Sequence, residues 1–260
     1  MKIIVFLKMY IDVVEELEIA EDCKSLNKEW IRLKLNESDE HALEQAIIIK
    51  EKYGATVIAV SIDDPEIDEV LYGAIAKGAD KVVKITGVDQ ESRIPELAKL
   101  FTSYIRQETG EPDEQTLILT GTQGSDDLEG EAVYFIGDYL NINCNGVITA
   151  VQVDTNTNKV AFNKEFTGGV RGEYEMSLPA VLGIQAAEKP PRYVPIAKIR
   201  AAKKSTQIEE IEVPVDKPPS GLSIERMFKP EDTGRAEIIE GDAEKITGKL
   251  IQVFNDRGIL

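Results

Sequence analysis

Short apolar runs alternate with amphipathic stretches over roughly the first 140 residues of this chain. The runs are continuous, as expected for strands buried on both faces of a parallel sheet. They comprise residues 3–7, 56–61, 81–85 and 116–120, with a further extended stretch at residues 30–35. The sequence therefore predicts strands at these places.

The amphipathic stretches between the runs predict helices. Ser38 and Asp39 are expected to cap the first helix, which stops at Gly54, where the sequence returns to an apolar run. Further helices are predicted at about residues 64–78 and 94–108. Strands that alternate with helices predict an α/β fold with a doubly wound, mostly parallel sheet.

The pattern changes after residue 140. Four apolar runs separated by turn residues predict a β-meander that extends or covers the sheet rather than forming a domain of its own. These runs are residues 147–153, 159–166, 170–176 and 180–184.

A proline-rich segment and a terminal helix follow the meander. Residues 186–235 contain Pro190–Pro191 and Pro218–Pro219, which predicts an extended arm, and residues 242–257 have helical spacing of apolar residues. We therefore divide the chain into a core with its meander, residues 1–185, and a C-terminal Pro-rich arm plus helix, residues 186–260. This arm either docks on a partner subunit or folds back on the core.

Charge and composition exclude several classes of function. The net charge of −17 argues against a nucleic-acid partner or an anionic membrane surface. Cys23 and Cys144 are far apart and His41 is the only histidine, which argues against disulfide frameworks, structural metal sites and histidine-based catalysis. No apolar stretch is long enough to span a membrane, so we expect a cytoplasmic protein without direct membrane insertion.

The stretch TLILTGTQGSDDLEGEAVYFIGDYL, which begins at Thr116, is the most informative part of the chain. A strand, a Gly-rich acidic loop and a helix follow one another there, and nucleotides bind at such junctions in doubly wound sheets. Gly121 and Gly124 allow a ligand to approach the backbone. Glu129 and Glu131 suit the positive end of the helix dipole but would repel a phosphate. The sequence thus predicts a nucleotide site whose phosphate end has been altered.

The same acidic loop also permits a metal site in a hydrolase or transferase. Asp126, Asp127, Glu129 and Glu131 could together bind Mg²⁺ or Ca²⁺. Their spacing does not fit a calcium loop, and acidic residues are common in the first turn of a helix. We therefore assign no metal ligands and no catalytic residues.

Seven blocks of sequence, in order over nearly the full length, resemble the β subunit of electron transfer flavoproteins, including the FixA-type members. The blocks are KIIVFLK, LNESDEHALEQAIIIKEKYGATVIAVS, AIAKGADKVVKI, LTGTQGSDD, LPAVLGI, KPPRYVPIAKIRAAKK and EIIEGDAEKITGKLIQVF. The resemblance implies a non-catalytic subunit of a heterodimer, in which the α subunit holds most of the FAD and the β subunit clamps it.

The resemblance also implies an adenine-nucleotide pocket, which holds AMP in simple carriers and a second FAD in bifurcating members. Transferred to this chain, its cofactor-binding positions are Phe6, Lys8, Asn36, Gly124, Asp127, Gly130, Glu131 and Ala132. The last three stand where the family has phosphate-binding polar residues. Ala132 has no hydroxyl and an ionised Glu131 only accepts hydrogen bonds, so AMP or a second FAD in this chain is doubtful.

The block KPPRY resembles the family's recognition loop, which implies docking to a dehydrogenase or a quinone-reducing redox partner. The docking residues are Glu188, Arg192 and Tyr193, and Glu188 replaces an apolar residue of the family pattern. Arg192 and Tyr193 either act across a subunit interface or are buried within the chain. The arm either serves a different partner or no longer docks. An alternative to electron transfer is an adenine-nucleotide-binding regulatory module with the same sheet.

Overall fold

The computed structural model describes residues 1–14, 16–27, 29, 31–88, 92–125, 127–213, 224–230 and 236–260. The chain forms two compact units, residues 1–18 with 26–223 and residues 19–25 with 224–260. The predictions that involve Trp30, Asp126 and Pro218–Pro219 lie outside the described residues.

The strands of the first unit are numbered along the chain. They are β1 (Lys2–Phe6), β2 (Met9–Ile11), β3 (Leu33–Leu35), β4 (Thr56–Ile62), β5 (Lys81–Thr86), β6 (Thr116–Gly121), β7 (Asn143–Asp154), β8 (Lys159–Glu165), β9 (Arg171–Ser177), β10 (Ala180–Ile184) and β11 (Glu209–Glu212). Nine of them form one sheet in the order β11–β5–β4–β1–β6–β10–β7–β8–β9, and β2 pairs with β3 separately. Neighbours from β11 to β7 are parallel, whereas β8 and β9 are antiparallel additions.

The helices lie on both faces of the large sheet. They are α1 (Glu37–Tyr53), α2 (Ile67–Lys77), α3 (Ile94–Thr109), α4 (Ala132–Leu140) and α5 (Ile196–Ser205), with a 3-10 turn at Thr167–Gly169. Helices α1 and α2 contribute to one apolar core, and α3 and α4 contribute to the other.

Strand β1 explains why the sheet has two cores. Ile3 and Val5 point into the core with α1, whereas Ile4 and Phe6 point into the core with α3, because successive side chains of a strand face opposite ways. A strand between two helical layers must be apolar at every position, which is the pattern of the sequence. The predicted doubly wound α/β fold is confirmed.

The meander prediction is correct for β7, β8 and β9, which are antiparallel neighbours that extend the sheet. It is wrong for residues 180–184. They form β10, which lies parallel between β6 and β7, and all five residues are buried. The run AVLGI has the continuous apolar character of a strand buried on both faces, which was the signal that identified β1.

Two further features differ from the sequence-based expectations. Helix α1 begins at Glu37, so Asp39 lies in its first turn instead of capping it, and Asn36 precedes the helix. Residues 196–205 and 209–212 of the predicted extended arm form α5 and β11, and β11 pairs with β5. Ala202 and Ile208 are buried, because this part of the arm belongs to the first unit and packs on its other elements.

The second unit contains the predicted terminal helix, α6 (Ala243–Asp256). The Asp242 side chain accepts a hydrogen bond from the backbone N–H of Lys245 at 2.9 Å, which caps the helix. No helix within the described ranges has both the length and the apolar character needed to cross a membrane.

Candidate functional site

A pocket lies outside the carboxyl ends of β1 and β6, the two central neighbours of the large sheet. After β1 the chain continues in the large sheet at β4 on one side, and after β6 it continues at β7 on the other side, so the strand order reverses here. Doubly wound sheets bind ligands at such switch points. The lining residues are Phe6, Lys8, Asn36, Asp39, Ile94, Leu97, Ala98, Phe101, Thr120, Gly121, Gln123, Gly124, Asp127, Ala132 and Ile136.

Asp39 joins the ends of both strands to helix α1. Its carboxylate accepts hydrogen bonds from the backbone N–H groups of Lys8, at 2.8 Å, and Gly121, at 2.7 Å. The residue is only 5% exposed. A side chain at position 121 would collide with Ser38 and Asp39, so glycine is required for this close approach.

Burial raises the pKa of Asp39 to about 6, although the nearby charge of Lys8 and the hydrogen bonds from Lys8, Gly121 and Asn36 act in the opposite direction. The carboxyl group therefore changes its charge close to neutral pH. The charge on this wall of the pocket changes with it.

Asn36 holds the loop that follows β6. Its side-chain amide donates to the backbone carbonyl of Gln123 at 3.0 Å, and its backbone N–H donates to the carbonyl of Lys8 at 2.9 Å. The residue is buried at the edge of the pocket. Asn36 thereby fixes the position of the Gly-rich loop relative to β1.

Asp127 occupies the start of helix α4. Its two carboxylate oxygens accept hydrogen bonds from the backbone N–H groups of Glu131, at 2.9 Å, and Ala132, at 3.2 Å. Gly130 makes the turn between them with a φ of +69°, and a Cβ atom there would lie 2.5 Å from the carbonyl oxygen of Thr122. The chain's own carboxylate thus takes the N–H groups that a phosphate would use.

Helices α3 and α4 form the apolar wall of the pocket. Phe101 of α3 stacks on Phe6, with ring centroids 3.9 Å apart. At the start of α3, Glu96 accepts a hydrogen bond from the backbone N–H of Arg93 at 3.1 Å. This helix terminus, like that of α4, carries a carboxylate of the chain.

The predicted cofactor-binding residues cluster around this pocket. Phe6, Lys8, Asn36, Gly124, Asp127 and Ala132 line it. Gly130 and Glu131 lie beside the lining, and their backbones form the turn that Asp127 stabilises. Their role in cofactor binding stays a prediction.

Arg192 of the predicted docking segment is held within its own chain. Its guanidinium group forms ion pairs with Glu44, at 2.9 Å, and Glu51, at 2.6 Å. Hydrogen bonds with these carboxylates raise the pKa of Arg192, and Arg192 lowers the pKa of Glu51. These ion pairs hold Arg192 against helix α1 of its own chain.

The backbone of the same segment is tied to α1 as well. N–H groups of Ala187, Glu188 and Arg192 donate to side chains of α1 at 3.0–3.2 Å. The acceptors are His41 Nδ1, Gln45 Oε1 and Glu44 Oε2. Tyr193, which comes next, is 85% exposed. The docking roles of Glu188, Arg192 and Tyr193 stay predictions.

Two other charged groups have partners inside the chain. Lys203, in the last turn of α5, forms an ion pair with Glu69 at 2.7 Å and lies over the ring of Tyr72. The acidic loop after β6 uses Asp127 to stabilise α4. In the described part of the chain, no group of three or more His, Cys, Asp or Glu side chains could hold a metal.

Sequence reasoning missed the polar residues of α1. Asp39, Glu44 and Gln45 are buried, and each binds another element of the chain. In sequence they look like the exposed face of an amphipathic helix, because charge normally marks the surface. The available signal was their position directly beside the apolar core residues Leu43 and Ala46.

The model of one protein family, described as the electron transfer flavoprotein domain, matches residues 27–216. The chain is 32% identical to the electron transfer flavoprotein subunit beta of Methylophilus methylotrophus, over 98% of both chains. It is 27% identical to the subunit of that name from Bacillus subtilis, over 93% of this chain and 91% of the relative. For the Dictyostelium discoideum subunit, the identity is 30% over 79% of each chain.

Proposed function

Because this chain belongs to the electron transfer flavoprotein domain family, we propose that it is the β subunit of a heterodimeric electron transfer flavoprotein. In this proposal an α subunit holds most of the FAD, and this chain clamps it and passes electrons without catalysing a reaction of its own. The similarity over 98% of a curated β subunit carries the proposal. The predicted cytoplasmic location belongs to the same proposal.

Helix α6 supports a subunit interface. The residues Leu250, Ile251, Val253 and Phe254 are spaced as on a helix with one apolar face. Each of these side chains is nevertheless 39–47% exposed. Contiguous apolar surface of this kind marks interaction sites. We assign this face to the α subunit.

Co-expression with an α subunit from the same genome tests the heterodimer. We expect a stable complex from which FAD can be extracted. Leu250→Asp should lower the yield of complex about tenfold, whereas Gln252→Asp, which adds the same charge to the same helix, should leave it unchanged. A colourless, monomeric protein with every plausible α subunit would refute the proposal.

The exposed Tyr193 supports docking of a redox partner. Because Arg192 is fixed on α1, Tyr193 is presented at a defined place with most of its ring accessible. Such rigid aromatic anchors are common at the centres of interfaces. We propose that Tyr193 contacts a dehydrogenase or a quinone-reducing partner.

Electron transfer from the partner tests this docking role. Tyr193→Ala should raise the partner concentration needed for half-maximal flavin reduction about tenfold, which corresponds to a truncation cost of about 1.4 kcal/mol for an interface anchor. Tyr193→Phe should retain most of the activity and both variants should retain flavin. Equal activity of Tyr193→Ala and the wild type would remove Tyr193 from the interface.

The pocket at the switch point favours a second candidate, an adenine-nucleotide-binding regulatory module without electron transfer. Stoichiometric binding of AMP or ATP by the subunit alone, together with no flavin in any complex, would support this candidate. The absence of measurable nucleotide binding would exclude it. The carboxylate of Asp127 at the start of α4 counts against it.

A further inference from the structure

The switch-point pocket combines an apolar wall with an anion site that the chain itself occupies. Ile94, Leu97, Ala98 and Phe101 of α3 and Ile136 of α4 supply the wall. Apolar walls with few polar groups are typical of sites for small ring compounds. In other doubly wound sheets the phosphate of such a ligand binds at the N-terminus of the following helix.

In this chain that helix terminus is already occupied. Asp127 is only 5% exposed. Its carboxylate accepts hydrogen bonds from the backbone N–H groups of both Glu131 and Ala132. A phosphate could bind these groups only by displacing a buried carboxylate, and it would meet the negative charge of that carboxylate. The contacts are specific to Asp127, because the exposed Glu129 makes none of them.

The other charges at the pocket act in the same direction. Asp39 places a second carboxyl group in the lining, and its hydrogen bonds go to β1 and β6. Lys8 is the cationic side chain of the lining. The pocket therefore has more anionic than cationic groups, which is the reverse of a phosphate site.

We propose that Asp127 is a built-in substitute for a ligand phosphate, so that the pocket accepts an uncharged nucleoside and rejects the corresponding nucleotide. The inference rests on the proposed function for its biological setting, since it assigns a ligand class to the pocket of the β subunit. Its geometry depends on this chain alone. The apolar wall supplies the binding energy for the nucleoside. The occupied start of α4 discriminates against the nucleotide.

Calorimetry on the full-length subunit with adenosine and AMP as probes tests the proposal. We expect adenosine to bind at least about tenfold more tightly than AMP, because the phosphate of AMP would lose its water contacts beside the buried carboxylate of Asp127 without gaining the occupied N–H groups, and an unsatisfied charged group costs roughly ten- to a hundredfold in affinity. Asp127→Ala frees both N–H groups and should reduce or reverse this preference. Asp127→Asn keeps a capping oxygen without the charge and should have an intermediate effect.

Glu129→Gln is the matched control, because it removes a neighbouring charge that does not contact α4. It should change the adenosine-to-AMP ratio much less than Asp127→Ala does, because Glu129 is exposed and solvent screens its charge. If Asp127→Ala does not fold, Asp127→Asn against this control decides the question. Three results would each overturn the inference: equal or tighter binding of AMP by the wild type, a ratio that does not respond to Asp127, or no adenosine binding at millimolar concentration. Flavin content of the heterodimer, measured separately, reports on the proposed function instead.

Discussion

Helices α1 and α6 were both predicted from the spacing of their apolar residues, and α6 is the more strongly amphipathic of the two, but their surroundings in the structure differ. In α1 even polar side chains are buried, with Glu44 2% and Gln45 0% exposed. In α6 the apolar side chains are exposed along with the polar ones, and no residue of the helix is buried. The comparison shows that periodicity locates a helix, whereas the residues that surround the helix decide which of its faces is covered.

The physical reason is the number of other elements that each helix contacts. Polar groups of α1 bind the ends of β1 and β6 through Asp39, and the anchored segment 187–192 through His41, Glu44 and Gln45. Buried polar groups are tolerated when they are hydrogen-bonded, as these are. For α6 we propose that the missing cover is the α subunit.

The largest effect is expected where α1 approaches β6 most closely. A Cβ atom at Gly121 would lie 2.6 Å from the Cβ of Ser38 and 2.8 Å from the backbone nitrogen of Asp39. Gly121→Ala should therefore lower the free energy of unfolding by about 3 kcal/mol, as overpacking at a rigid contact does. Chemical denaturation measures this change.

Gly73→Ala in α2 is the matched control, because nothing lies within 4 Å of a Cβ atom there. It should raise the stability by about 0.5–1 kcal/mol through helix propensity. If both substitutions were neutral, the tight fit of α1 against β6 would be wrong.

A matched pair of leucines compares the two helices directly. Leu43 of α1 is 1% exposed, so Leu43→Ala should lower the free energy of unfolding by about 2–3 kcal/mol. Leu250 of α6 is 40% exposed, and Leu250→Ala should change it by less than about 0.5 kcal/mol in the isolated subunit. Equal losses measured by urea denaturation would show that α6 is covered within its own chain.

The ion pairs between α1 and Arg192 should have a smaller effect. Arg192→Ala leaves the buried Glu44 without its cation, and we expect a loss of about 2 kcal/mol, below the range for fully buried pairs because Arg192 is partly exposed. Glu51→Gln, at the exposed end of the same cluster, should cost about 0.5 kcal/mol. Similar losses for the two variants in thermal unfolding would mean that the buried carboxylate is not the critical partner.

The smallest effect concerns Asp39 and depends on pH. Because its folded pKa of about 6 lies above the ordinary value of 3.8, the folded state binds the proton more tightly. Stability from this group therefore rises as the pH falls from about 6 towards 4, and it is lost again as the pH rises through 6. Relative to Asp39→Asn, the wild type should gain about 1–2 kcal/mol between pH 7 and pH 5.

Denaturation of both proteins at a series of pH values checks this difference, since contributions of the other carboxyl groups cancel in the comparison. A difference that stays constant with pH would show that Asp39 remains ionised throughout. A difference of the opposite sign would mean that its hydrogen bonds from Lys8 and Gly121 dominate over burial.

The doubly wound core was predictable because its strands are apolar at every position and alternate with helices. The position of β10 was not deduced, since a local pattern does not say which strands become neighbours.

The pocket was predicted from the Gly-rich loop after β6, but the capping role of Asp127 was not. That role depends on two hydrogen bonds set by the turn at Gly130, which composition does not reveal. Likewise, Glu44 has the charge of a surface residue, and its burial depends on an ion pair with Arg192, which is far away in sequence.

The place of β10 in the sheet has a consequence for how the chain is made. On the ribosome β6 and β7 emerge before β10, yet β10 must lie between them. Until residue 184 is available, β6 has a free apolar edge, and the hairpins of β7–β9 cannot join the sheet. Such an edge is a template for aggregation. Nascent chains whose synthesis stalls before residue 180 should therefore depend most strongly on chaperones. Chains that already include residue 184 should depend on chaperones much less.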